Sequence, residues 1–187
     1  MKETKKSLRK QGHSQLLAQT EEKRRLRSLD IQKRLSGLPV FQKAKLVLFF
    51  VSLPEEVDTH PMIEEALRSG KRVAVPVADL KTKKLLFFEI RDKKKDLKPG
   101  VYGILEPDPY KTKPVSPKKA DCVIVPGLVF DLKKHRIGHG AGFYDRFLAE
   151  IGDVPKIGLA YSFQIIEEIP RESHDVALDE IITDQEN

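Results

Sequence analysis

The sequence predicts an α/β fold, a three-layer α/β/α sandwich around a mostly parallel central sheet. Three observations carry that expectation. Short continuous apolar runs, Lys45 to Ser52, Lys71 to Val77, Asp121 to Val125 and Lys156 to Tyr161, read as strands, and unbroken apolar runs belong to strands buried on both faces. Helix-forming stretches alternate with them, the pattern of strands joined by crossovers. The chain has 187 residues, 40% of them hydrophobic, enough to bury a substantial core in one domain. Residues 1–187 are therefore assigned to a single domain, and no internal repeat is evident.

The elements follow in order. Residues 2–35 lack proline and carry Leu16, Leu17, Leu26, Leu29 and Leu35, which predicts one or two helices with Gly12 as the candidate break. The run from Lys45 to Ser52 is the candidate central strand. Asp58 and Thr59 are placed to cap a helix through Pro61 to Arg68 that ends at Gly70. Lys71 to Val77 and Lys84 to Ile90 are the next strands. Residues 92–119, rich in lysine, proline and glycine, read as a long irregular connection. The strand at 121–125 stops at Pro126-Gly127 and a glycine-rich loop follows. A helix from about 141 to 151 comes next, then a strand from Lys156 to Tyr161 and a last short one near Glu180 to Thr183.

Charge and composition exclude some functions. The net charge is +6 and the pI near 9.3, with lysines clustered at 81–84, 93–95 and 111–119. No aromatic residues interleave with those clusters to stack bases, so solvated loops and protected strand edges are expected rather than nucleic-acid binding. The positive field would equally attract a polyanionic small molecule. Cys122 is the single cysteine, which excludes a disulfide within the chain and fits a reducing cytoplasm. Its place inside an apolar strand points to a buried structural thiol rather than a nucleophile. No apolar run approaches the roughly 20 residues of a membrane span, and the lysine-rich start lacks the apolar stretch of a secretion signal. A cytoplasmic monomer without membrane partners is expected.

The densest motif is Arg136-Ile-Gly-His-Gly-Ala-Gly-Phe-Tyr-Asp-Arg146. Glycines at 138, 140 and 142 strip every Cβ from one side of the loop, so that backbone N–H groups can turn together toward an anion. Arg136 supplies a phosphate-pairing group and Asp145 a metal-binding one, and the helix beginning there would aim its N-terminus at the loop. An unliganded strand-to-helix turn has the same glycine pattern, and the glycines alone do not separate the two readings. His135 and His139 share helical spacing, but the intervening glycines argue against a helix and against zinc. No Walker-type Gly-Lys-Ser/Thr ending and no nucleophile-elbow serine are present.

Taken together, Val125-Pro-Gly-Leu-Val-Phe-Asp131 and the 136–145 segment resemble the signature of the 5-formyltetrahydrofolate cyclo-ligase family. That signature reads Pro-Gly-x-x-Phe-Asp, a spacer, then Arg-x-Gly-x-Gly-x-Gly-Tyr-Tyr-Asp. Three further segments match in order. Lys5-Lys6-Ser7-Leu8-Arg9 resembles the family's amino-terminal Lys-x-x-x-Arg, Ser52 to Thr59 its strand-end acidic segment, and His174-Asp175-Val-Ala-Leu-Asp179 its carboxy-terminal element. The resemblance implies an ATP- and magnesium-dependent ligase that closes 5-formyltetrahydrofolate, free or polyglutamylated, to 5,10-methenyltetrahydrofolate.

By that resemblance Lys5, Arg136 and Asp145 carry the chemistry. Lys5 or Lys6 (the register is open by one), Arg9, Arg136 and the stretch Gly138, His139, Gly140, Ala141, Gly142, Phe143 and Tyr144 hold ATP. Arg9, Val51, Glu56, His139 and Phe143 meet the folate, and Asp145 and Asp175 hold Mg2+. A carboxylate at 56 suits the paired N–H donors of a pterin. The chain departs from the pattern in three places: His139 stands for tyrosine or arginine, Phe143 for the first tyrosine, and Lys134 for a spacer glycine, implying a different turn. Two other classes stay open, a nucleotide- or sugar-phosphate-binding enzyme without folate activity and a basic RNA-binding or regulatory protein.

Overall fold

The computed structural model describes residues 4–100, 103–172 and 175–185, which leaves Ser173 and His174 of the carboxy-terminal motif outside the described residues. The amino-terminal stretch forms α1 (Lys5–Leu17) and α2 (Glu21–Gly37), whose N-cap hydroxyls, Thr4 and Thr20, accept hydrogen bonds from the N–H of Ser7 and Lys23. The break falls at residues 18–20 instead of Gly12. Gly12 is buried within α1, where an added Cβ would stand 2.7 Å from the Leu128 carbonyl oxygen, so this glycine permits close packing and does not end the helix.

Then come α3 (Pro39–Lys43), β1 (Leu46–Leu48), α4 (His60–Arg68), β2 (Arg72–Asp79) and β3 (Lys84–Ile90). Thr59 takes the N-cap position of α4, but its hydroxyl donates to the Phe50 carbonyl and accepts from Ser52 N–H, tying the strand-end loop together. The stretch at 92–119 is less irregular than its composition implies. It holds α5 (Lys93–Asp96), β4 (Leu97–Pro99), β5 (Leu105–Pro107) and β6 (Lys113–Val115). Beyond it lie β7 (Cys122–Val125), β8 (Val129–Asp131), β9 (Arg136–Ile137), α6 (Phe143–Glu150), β10 (Lys156–Leu159), β11 (Ile165–Ile166) and β12 (Glu180–Ile182).

Among the described residues seven strands form the main sheet, in the order β12-β10-β7-β1-β2-β3-β6. The pairs from β12 to β2 are parallel, and β3 and β6 add an antiparallel edge. Alternate residues feed two cores. Val47, Cys122, Ile124 and Ile157 pack with Leu8, Ile31, Leu35 and Ile63 of the first, second and fourth helices. Leu46, Leu48, Val123 and Val125 pack with Phe147 and Leu148 of α6. This is the expected three-layer sandwich, and each layer exists because side chains alternate across a strand. With β1 and β7 adjacent and parallel, the loops leaving their carboxyl ends emerge side by side, where open α/β sheets bind ligands.

A small second sheet, β11-β8-β9, supports the motif. Arg136 and Ile137, expected as the start of a loop, instead pair with Phe130 and Val129. The turn between these strands is organised by the buried Asp131 carboxylate, which accepts from the N–H of Lys133, His135 and Ile169. Lys134 adopts φ +66°, the left-handed conformation glycine takes most easily. The lysine thus holds a backbone conformation that glycine would adopt without strain.

Candidate active site

The glycine loop runs from β9 into α6, with Gly140 at φ +102° and Gly142 at φ +70° as the N-cap. Each of its glycines leaves room for an arginine. A Cβ on Gly138 would stand 3.0 Å from Arg136 Nη1, one on Gly140 3.5 Å from Arg9 Nε, and one on Gly142 2.8 Å from Arg146 Nη1. Arg9 Nε donates to the Gly138 carbonyl at 3.1 Å. Arg146 braces the loop from the other end, donating to the Ala141 carbonyl at 2.8 Å and the Lys83 carbonyl at 3.0 Å.

Arg136 is buried, 7% exposed, because β9 packs between β8 and the first helix. Its Nη2 donates to Asp145 Oδ1 at 2.9 Å, and the guanidinium lies 5.5 Å from the centroid of the Tyr144 ring. Burial lowers its pKa, while Asp145, Tyr144 and Asp175 act in the opposite sense, and a guanidinium stays charged regardless. Among the described residues, Arg136 Nε and Tyr144 Oη are buried with no hydrogen-bond partner. Buried donors without partners are costly, so this corner of the molecule has unspent capacity for an anion. The Tyr144 hydroxyl is pushed up by burial, which keeps it protonated and able to donate.

On α1, Lys5 and Arg9 are half-buried and Lys6 and Lys10 exposed, so the face of the helix turned to the charge cluster carries Lys5 and Arg9. Lys5 Nζ donates to both oxygens of Asp175, at 2.9 and 2.7 Å, and to Glu172 at 2.6 Å. Burial alone would lower the Lys5 pKa, but its hydrogen bonds to Asp175 and Glu172 outweigh burial and raise it. Asp175 also acts electrostatically on Arg136, the partner of Asp145. Among the described residues no group of three or more His, Cys, Asp and Glu side chains gathers as a metal cage. Two hard carboxylates are what Mg2+ needs when water and phosphate oxygens complete its shell.

At the other end of the loop, the buried Glu56 carboxylate meets His139, with Oε1 3.0 Å from Nε2, and its Oε2 accepts from Leu53 N–H at 2.9 Å. Tyr161 Oη donates to the Glu56 carbonyl at 3.0 Å and shares a hydrogen bond with Ser28 of α2. Val51 is buried in the core just before this loop. Phe143 keeps different company, with the Arg146 guanidinium 5.7 Å from its ring centroid.

Sequence reasoning missed Arg146, Tyr161 and Ser28. Arg146 was legible as the cation closing the motif, but Tyr161 and Ser28 lie 105 and 28 positions from Glu56, and no local pattern links them. Gln164 accepts from Tyr161 N–H and donates to the Gly127 and Leu128 carbonyls, so it holds the strand ends in place. A separate cavity of about 310 Å³ between the second, third and fourth helices shares no residue with this cluster. No described helix is long and apolar enough to cross a membrane.

Comparison with known proteins is consistent across sequence and structure. A sequence model of the 5-formyltetrahydrofolate cyclo-ligase family matches residues 1–184. A 5-formyltetrahydrofolate cyclo-ligase of Escherichia coli (strain K12) is 33% identical over 154 residues, 80% of this chain and 84% of the relative. A probable 5-formyltetrahydrofolate cyclo-ligase of Schizosaccharomyces pombe is 30% identical over 171 residues, 83% of each chain. The solution structure of Aquifex aeolicus 5,10-methenyltetrahydrofolate synthetase superposes with a TM-score of 0.85 at 33% identity, covering 97% of this chain and 90% of that one.

Proposed function

The chain belongs to the 5-formyltetrahydrofolate cyclo-ligase family, and from that premise we propose that it uses ATP and Mg2+ to close 5-formyltetrahydrofolate to 5,10-methenyltetrahydrofolate, releasing ADP and phosphate. The observation that carries this reading is the arrangement around the glycine loop. Arg9 and the buried Arg136 contact or flank it, and Lys5 and two carboxylates join the same charge cluster.

A formyl oxygen is a poor leaving group, so ring closure needs activation. In the proposed sequence the formyl oxygen attacks the γ-phosphorus of ATP and ADP departs, leaving a phosphorylated imidate. N10 then attacks the activated carbon, and phosphate leaves as the ring closes, with the N10 proton passing to the departing phosphate or to water. The protein acts mainly by positioning and by stabilising charge. The backbone of 138–144 cradles phosphate, Lys5, Arg9 and Arg136 neutralise it, and Glu56 with Val51, His139 and Phe143 receives the folate. Asp145 and Asp175 would hold Mg2+, which when bound would draw charge from the phosphate oxygens. No side chain is assigned as an obligatory general base. In the free protein these groups neutralise one another, Arg136 with Asp145 and Lys5 with Asp175, and the reading requires both pairs to open for the nucleotide.

The substrate is taken to be free or polyglutamylated folate, and the working unit a single domain acting as a cytoplasmic monomer. The test is direct: purified protein, 5-formyltetrahydrofolate, ATP and Mg2+ are mixed and the methenyl absorbance is followed. An ATP-dependent rise is expected. Its absence in protein shown to be folded rejects the proposal.

A further inference from the structure

We propose that His139 positions the Glu56 carboxylate for the pterin end of the substrate and is a specificity-determining side chain of this site. The proposal rests on the folate reading above and extends it to a residue at which this chain departs from the family pattern.

A carboxylate offers about four lone-pair sites, two on each oxygen. In Glu56 one site on Oε1 is met by His139 Nε2 at 3.0 Å and one on Oε2 by Leu53 N–H at 2.9 Å. One site on each oxygen is left, which matches a pair of parallel N–H donors on a flat ring. The backbone beneath is already fastened, since Tyr161 Oη donates to the Glu56 carbonyl and Asp58 N–H donates to Ser28 Oγ. The remaining freedom is rotation of the carboxylate about its last torsion, which is broad and intrinsically soft. Leu53 holds one oxygen, and His139 holds the other.

The imidazole is itself placed by the phosphate-side loop, where Arg9 anchors the Gly138 carbonyl next to it. One side chain thus joins the loop assigned to ATP with the carboxylate assigned to folate. The charged groups acting on it are Glu56 and Glu55 from the loop after β1; from α1, Arg9 holds the neighbouring Gly138 carbonyl and His13 Nε2 lies 3.8 Å from Glu55 Oε1. The hydrogen bond to Glu56 raises the His139 pKa against the opposing effect of burial, and Glu55 adds to the rise. The sign follows: the charged bond is complete below the ordinary imidazole value of about 6.5 and weakens as pH climbs through the raised one. A neutral imidazole still donates from Nε2, with a bond roughly half as strong, so folate binding should weaken by about fivefold and not vanish.

The side chain of His139 is 46% exposed, so substitutions there spare the core. Binding of 5-formyltetrahydrofolate to the full-length protein is measured by calorimetry from pH 6 to 9, with steady-state KM values for folate and ATP, in the wild type, His139→Phe and His139→Gln. We expect His139→Phe to raise the folate Kd and KM about tenfold and leave the ATP KM within about twofold. We expect His139→Gln, which donates without titrating, to recover most of the affinity and to lose the pH dependence. An unchanged folate KM in His139→Phe overturns the proposal. So does a parallel rise in both KM values, or a pH dependence that survives in His139→Gln. A wild type that binds no 5-formyltetrahydrofolate at any pH overturns the folate reading itself, an outcome distinct from these three.

Discussion

Asp145 sits in the first turn of α6, where a negative charge is favoured by the helix dipole, and it is also the counter-ion of the buried Arg136. Asp145→Asn keeps the shape and removes the charge. We expect the Mg2+ concentration for half-maximal turnover to rise at least about tenfold, read from turnover against total Mg2+. An unchanged value would take Asp145 out of the metal site. The same substitution leaves Arg136 with less neutralisation and should cost about 1–3 kcal/mol of stability in a urea titration. Cys122 presents the opposite case, a group with no chemistry to do. It is fully buried, and burial, with the nearby Asp121 carboxylate, pushes its thiol up to about 12. It should resist thiol reagents at pH 8 in native buffer and react at once in urea. Rapid native labelling would contradict the packing described.

Between β8 and β9 the chain turns through Lys134 in the left-handed region, which costs a residue with a Cβ about 1–2 kcal/mol. Glycine removes that strain but adds unfolded-chain entropy, so Lys134→Gly should be neutral to slightly stabilising. Lys134→Val should destabilise by about 2 kcal/mol, because branching at Cβ worsens the same clash. Paired urea titrations of the two variants give the comparison, and equal midpoints would remove strain from the account. This turn also shows what is legible in a sequence. The strand at 121–125, the helix after the glycines and the Lys5/Arg9 face of α1 follow from local patterns, because periodicity and glycine placement are local physics. β9 escaped notice since two residues carry no period. Gly12 misled because its reason, the Leu128 carbonyl pressed against α1, lies 116 positions away. The His139–Glu56 pair, 83 residues apart, is tertiary in the same way, although both residues were individually singled out.

Among the described residues, a set of surface lysines and arginines is paired with carboxylates. Arg72 meets Glu89, Lys93 meets Glu64, Lys98 and Lys111 meet Asp108, and Lys133 meets Glu168. Glu89, Glu64 and Glu168 are held below the usual carboxylate range first by hydrogen bonds from those cations, and Asp108 first by the Tyr110 N–H. Depressed carboxylates contribute stability that is present above their ordinary values and is lost as pH falls through the lowered ones. Melting temperature should therefore hold between about pH 5 and 8 and fall below about pH 4, with salt softening the change because the pairs are exposed. A melting temperature unchanged down to pH 2.5 would deny these pairs any part in stability. The bond between Lys5 and Asp175 spans 170 positions, and its length in sequence has a consequence for synthesis. The ribosome delivers the cation of this pair 170 residues before its carboxylate. Helix α1, six of the seven main-sheet strands and the glycine loop have been made by then, yet the cluster stays incomplete until the segment carrying Asp175 folds back onto α1. A nascent chain stalled before that point lacks the ion pair that closes the cluster, so the candidate active site is completed only after most of the main sheet has been made.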